Sequence, residues 1–123
     1  MKIKKMTALL MGAVMLGLVS CEYVTITPED VIIPNDPVSF ATQVAPIFVN
    51  AGCTGCHSGS TAPDFRADKS FAALTSGGFV NTTDPANSKV VLKINSGHGT
   101  AASITGTSKA LLLKWIEEGA KNN

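Results

Sequence analysis

Several residue types are scarce in this chain, and each shortage limits what it can be. Of its 123 residues, three are Cys and 6% are aromatic, with one Trp and one Tyr. No basic run follows MKIKK at the start, which argues against nucleic acid or an anionic lipid surface as a partner. The longest apolar run, residues 6–19, is shorter than the ~20 residues of a membrane-spanning helix. All four methionines lie at positions 1, 6, 11 and 15.

The N-terminal segment has the plan of a secretory signal peptide: a basic start, a short apolar run and small residues before a cleavage site. A plain N-terminal membrane anchor is the alternative. Leu18-Val19-Ser20-Cys21 resembles a bacterial lipobox, in which the cysteine becomes the lipidated first residue of the mature protein. We therefore predict a lipoprotein signal peptide over residues 1–20 and lipidation at Cys21, a stable anchor because it carries more than one acyl chain.

The remaining chain is long enough for one small domain. It would hold 103 residues, with seven basic and nine acidic side chains. With Cys21 lipidated, only Cys53 and Cys56 remain, so a structural disulfide would have to use both of them. A domain of this size without a disulfide needs another constraint, such as a metal or a covalently bound cofactor.

Hydrophobic spacing predicts short helices only, in a domain over residues 38–123 that follows a proline-containing tether at 21–37. An edge strand over 23–27 is the alternative for part of the tether. The first helix should begin at a cap on Asp36 or Ser39, and Pro46 should kink or restart it. The last helix should carry an apolar stripe and end at Gly119: Leu111, Leu112, Trp115 and Ile116.

Two further helices are expected between these, separated by long loops. One covers Lys69 to about Ser76 with Asp68 as cap, and the other opens at Thr83 or Asp84 and ends at Gly97. The fold class is therefore all-α. Four short helices bury too little apolar area to offset their ordering entropy, so a large apolar group should sit among them.

Residues 53–57, CTGCH, match the pattern CxxCH of c-type haem attachment. The two thiols of Cys53 and Cys56 add to the two vinyl groups on one edge of the porphyrin, and His57 then lies under the iron as proximal ligand. A haem would also be the missing apolar group.

Other interpretations of the motif remain open. Zinc could use Cys53, Cys56, His57 and His98, although adjacent Cys and His ligands on one ion are unusual. A thioredoxin-like dithiol would need a strand before the motif, whereas TQVAPIFVNAG has a helical pattern. A coincidental CxxCH is the third alternative.

QVAPIF before CTGCH, the Gly/Ser/Pro loop after it and the ending LLLKWIEEGA together resemble the single-haem cytochrome c family, with its class I-like fold, and in particular its small lipoproteins of bacterial envelopes. The likeness covers residues 38–120. It implies about four short helices and long loops around one covalently attached haem c. It also implies that the first and last helices cross near the haem edge, with Leu112 and Trp115 packed into the first. As ordinary core residues, those two would pack in the same way.

The family usually places a methionine on the far side of the iron, in the loop before the last helix, and this chain departs from that pattern. His98 in NSGHGTAAS is the only other histidine, and it falls in that region. We therefore predict His57 and His98 as the two iron ligands, with Gly97 and Gly99 allowing close approach to the ring. The alternative is a solvent-exposed His98, with the iron five-coordinate or bound by water, Lys or Asn.

These features predict a lipid-anchored carrier of single electrons, not an enzyme, in the bacterial cell envelope, facing the periplasm or the cell exterior. Its partners would be unidentified redox proteins, with no nucleic acid and with membrane contact through the lipid alone. The mild negative charge would favour a partner with a basic docking face. The alternatives are an open iron site that binds small gases or turns over peroxide, and the electron-exit module of a larger dehydrogenase.

Overall fold

A computed structural model describes residues 31–123. The predicted signal peptide, Cys21 and the possible strand at 23–27 lie outside the described residues. Within 31–123 all regular structure is helical, which confirms the all-α prediction with its four short α-helices. They are α1 (Ala45–Asn50), α2 (Ser70–Ser76), α3 (Lys89–Asn95) and α4 (Gly106–Glu117). None of these four is long and apolar enough to cross a membrane.

The first helical segment changes type at its proline, as the sequence predicts. A π-helical turn covers Phe40–Val44, and Ser39 caps it by accepting a hydrogen bond from the N–H of Thr42 at 3.3 Å. Pro46 then lies in the first turn of α1. Its missing N–H removes no intrahelical bond at that position, so the helix restarts there without loss.

Two predicted helix starts are wrong. Asp68 does not cap α2. The N-cap position is occupied by Lys69, and no side chain there forms a capping hydrogen bond with the first turn.

The second correction concerns the helix predicted from Thr83 or Asp84 to Gly97. The segment that begins at Pro85 is a 3₁₀ turn (Pro85–Asn87), and it is followed by a separate helix, α3. The reason lies at Ser88, which is extended and 1% exposed, and whose hydroxyl accepts a hydrogen bond from the N–H of Asn81 at 2.9 Å. This bond to a residue seven positions earlier, outside α3, holds Ser88 out of the helix.

The last helix packs against the first segment through aromatic rings. Trp115 is fully buried, and its ring centroid lies 5.1 Å from that of Phe40. Phe71 of α2 closes the cluster with an edge contact to Phe40 at 5.2 Å. The predicted stripe on α4 is confirmed at Leu112, Trp115 and Ile116, all 0% exposed. This cluster fixes the two helices relative to each other and forms one side of the core.

Asn123 joins the C-terminal end of the described chain to the start of the first segment. Its Oδ1 accepts from the N–H of Phe40 at 2.9 Å, and its Nδ2 donates to the carbonyl of Val38 at 3.2 Å. Its backbone carbonyl accepts from Ser39 Oγ at 2.9 Å. Nearby, Lys114 Nζ donates to the carbonyl of Pro34, which ties the described end of the tether to α4.

We expect Asn123→Ala to lower the free energy of unfolding by about 1 kcal/mol, because the N–H of Phe40 loses its partner at a helix start. Chemical denaturation of the purified protein measures this value. Asn122→Ala is the matched control, since Asn122 is an exposed neighbour of the same type. Equal stability of the two variants would contradict the capping role of the Asn123 side chain.

Candidate functional site

A pocket of about 410 Å³ opens between the 3₁₀ turn Cys53–Gly55, helix α3 and the loop that precedes α4. Its walls are mainly apolar, with side chains drawn from α1, α3, the Cys53–Gly55 turn and the loops around them. The apolar residues that line it are Phe48, Phe65, Phe79, Val90, Ile94, Ala101 and Ile104. The remaining wall carries both cysteines of the motif and both histidines of the described chain.

The CxxCH residues are held on the pocket wall by a tight turn. Gly52 begins it with φ of 73°, a left-handed conformation that glycine adopts without strain. The N–H groups of Cys56 and His57 both donate to the carbonyl of Cys53, at 3.2 and 3.0 Å. The turn therefore brings both thiols and the imidazole to one side of the pocket.

The two thiols differ in environment. Cys56 is exposed, whereas Cys53 is half-buried. Burial raises the pKa of the Cys53 thiol above its ordinary value, and a hydrogen bond with the side chain of Thr100 lowers it in part. Thr100 comes from the segment before α4, so this contact links the motif to the part of the chain that carries His98.

Backbone carbonyls orient the ring of His57. Its Nδ1 lies 3.0 Å from the carbonyl of Pro63 and 3.3 Å from that of Thr61. A carbonyl only accepts, so Nδ1 donates the hydrogen bond, and Nε2 is the ring nitrogen left to bind a metal. Metal-binding histidines are held in this way, and the hydrogen bond makes the other nitrogen a better donor to a metal. Phe65 supports the ring with an edge contact at 5.3 Å.

His98 faces His57 across the pocket. The ring centroids are 6.2 Å apart and the ring planes differ by 65°. A bond between imidazole nitrogen and a transition metal is about 2 Å long, so two rings on opposite sides of one ion have centroids about 6 Å apart. The pair thus fits a single metal ion between the two rings. With the apolar walls and the two thiols, these residues fit a haem.

The chain reaches His98 through two glycines with left-handed backbone. Gly97 has φ of 69° and Gly99 has φ of 53°. Between them, the N–H of His98 donates to the carbonyl of Lys93 at 3.2 Å, which closes the end of α3. Side chains with a Cβ would strain both flanking positions, so the glycines let the loop turn His98 toward the pocket.

The two alternative chemistries find no structural basis. Within residues 31–123, no three His, Cys, Asp or Glu side chains are grouped closely enough to hold a metal ion, so the proposed zinc set is not assembled. The segment before Cys53 is helix α1, with no strand in the described part of the chain, unlike a thioredoxin-type dithiol.

Trp115 packs away from the pocket. It contacts Phe40 and Phe71, and its Nε1 donates to the carbonyl of Lys121 at 2.8 Å. It does not line the pocket, and in the described structure it joins the helices behind the site.

Sequence reasoning missed the support around His57. Phe65 stacks on Phe48 with centroids 4.2 Å apart and planes 9° from parallel, and both rings line the pocket. The one available signal is that Phe65 is the only aromatic residue between positions 49 and 70. Pro63, whose carbonyl orients the ligand, gave no signal within its Gly/Ser/Pro loop.

Comparisons with family models, with curated proteins and with solved structures give no match to this chain.

Proposed function

We propose that the chain is a single-haem c-type cytochrome that carries electrons between redox proteins. One observation carries the proposal: His57 and His98 face each other at 6.2 Å across an apolar pocket that also bears both cysteines of the CxxCH motif. Each of these features has a separate use in holding a haem. The cytochrome c-like fold suggested by the sequence motifs is part of the same proposal.

Each residue has a definite part in holding the group. Cys53 and Cys56 would attach it by addition of each thiol S–H across a vinyl double bond, which forms a C–S bond without a leaving group. His57, fixed by the carbonyl of Pro63, would bind the iron from one side and His98 from the other. When bound, the haem supplies reversible one-electron transfer between ferric and ferrous iron.

The walls and the ligand pair set the redox properties. Phe48, Phe65, Ile94 and Ile104 are each at most 7% exposed, so they keep water from much of the pocket. Two imidazoles favour ferric iron more than an imidazole and a thioether do, so the potential should lie below that of a His/Met protein.

We also propose that the protein works in the bacterial cell envelope, on a lipid anchor at Cys21. This rests on the signal-like residues 1–20 and the lipobox-like Leu18–Cys21, and on the chemistry itself, because c-type haem is attached outside the cytoplasm. A tether over 21–37 would give the domain reach above the membrane surface.

A second candidate function is binding of small gases or turnover of peroxide at an open iron position. It is favoured by the difference between the two histidines. His98 is exposed, and its ring makes no hydrogen bond within residues 31–123, whereas His57 is held by two carbonyls. If His98 left the iron, it would be placed as an acid–base group above the open position.

The proposal is tested by the covalent link. We expect the protein, expressed with its signal peptide in a host that matures c-type cytochromes, to keep haem on the polypeptide after denaturation and acid-acetone extraction. Mass spectrometry of a digest cut after glutamate should place the haem on the peptide over residues 30–117, which contains Cys53 and Cys56 but not Cys21.

Cys21→Ser is the matched control, since it removes a cysteine outside the CxxCH motif and should leave the haem in place. Cys56→Ser should leave a single thioether bond, with a visible change in the absorption of the denatured haem. Full-length protein that loses all its haem on extraction would contradict the proposal.

A further inference from the structure

Among the residues of the described range 31–123 that line the pocket, Lys93 is the only charged one. It lies in the last turn of α3 and is exposed. The ion pairs within residues 31–123 are Arg66 with Asp64, Lys69 with Asp68, and Lys114 with Glu118. Lys93 takes part in none of them, so this lysine lines the pocket without an acidic partner in the described chain.

A haem carries two propionate carboxylates as well as an apolar ring. A carboxylate placed beside apolar walls is destabilised unless it meets a positive charge or hydrogen-bond donors. Lysine suits this purpose because its ammonium group sits on a flexible stem that can reach over a pocket rim. The following inference rests on the proposed function. We propose that Lys93 is the positively charged residue that binds a carboxylate of the bound haem.

Two other roles of Lys93 are structural and can be separated from this one. A cation in the last turn of a helix stabilises the helix dipole. The carbonyl of Lys93 also accepts the hydrogen bond from the N–H of His98. The first role affects the stability of α3, and the second uses only the backbone of Lys93. Neither role involves a contact between the Lys93 ammonium group and the haem.

A positive charge near the iron destabilises the ferric form relative to the ferrous form. Removing it should therefore favour the ferric form. In redox titrations of the haem-loaded protein, we expect Lys93→Gln to raise the ferric-to-ferrous ratio at a fixed potential by about threefold, a factor typical of a partly screened charge pair. Lys93→Arg should stay close to the original ratio. The propionate bending mode in the resonance Raman spectrum should shift in Lys93→Gln, since that mode reports contacts of the carboxylates.

Lys89→Gln is the matched control, because Lys89 is an exposed lysine of the same helix that does not line the pocket. A ratio and a Raman mode that change equally in Lys89→Gln and Lys93→Gln would overturn the assignment of Lys93. So would a propionate mode that Lys93→Gln leaves unchanged. Both outcomes leave the covalent haem in place, so they are distinct from failure of the proposed function, in which the unsubstituted protein carries no covalent haem.

Discussion

His98→Ala converts the iron from low-spin to high-spin and opens it to carbon monoxide in the reduced state: this is the result we expect from the two rings that face each other at 6.2 Å. The reason is that alanine offers no donor atom, and Met1, Met6, Met11 and Met15 all precede the proposed mature N-terminus. For the same reason, the ferric unsubstituted protein should lack the near-infrared band of sulfur ligation. Absorption and electron paramagnetic resonance spectra measure the spin state, and carbon monoxide difference spectra measure access to the iron.

His98→Met tests the same position in the opposite direction. A thioether stabilises ferrous iron better than an imidazole does, so we expect the midpoint potential to rise by on the order of 0.1 V. Ser96→Ala is the matched control, because Ser96 precedes the same loop and does not line the pocket. If His98→Ala leaves the spectra and the potential unchanged, His98 is not a ligand, and the open-site function becomes the better proposal.

The parts of the fold that could be predicted are those set by local chemistry. Ser39 caps the first segment, and Pro46 restarts it, because both effects depend on a few neighbouring backbone groups. The buried stripe on α4 follows from helical spacing alone. The CxxCH motif likewise fixes the positions of its own residues, since the chain between them is one short turn.

The parts that could not be predicted depend on contacts across loops or between segments, which helical spacing and capping patterns do not encode. Ser88 breaks a helix that the local pattern favours, because its hydroxyl is used by Asn81. The orientation of His57 depends on the carbonyl of Pro63, and any residue type could have supplied that carbonyl. Lys93 is an ordinary surface lysine in the sequence, and only the folded chain places it at the pocket.

The dependence of the fold on its proposed haem gives the largest expected effect. We expect Cys53→Ser/Cys56→Ser, produced without haem, to be largely unfolded. An unfilled pocket would leave its apolar walls facing water, at about 1.5–3 kcal/mol for each buried side chain that becomes exposed, such as Phe48, Phe65, Ile94 and Ile104. Summed over these side chains, that cost is similar to the whole stability of a small domain, about 5–15 kcal/mol. Circular dichroism and amide hydrogen exchange measure the loss of helix and of protection.

The position of the pocket explains why the loss should extend beyond the motif. Phe48 and Ile94 lie in α1 and α3, and both face the pocket while also belonging to the single buried cluster of the domain. Water that enters an unfilled pocket therefore reaches the surface that holds these helices together. Cys21→Ser, which leaves both attachment residues in place, should stay folded and haem-loaded. The contrary result would be a haem-free double variant with native helix content and a cooperative thermal transition. It would demonstrate that the polypeptide core is sufficient for folding and that the haem is not needed to stabilise the domain.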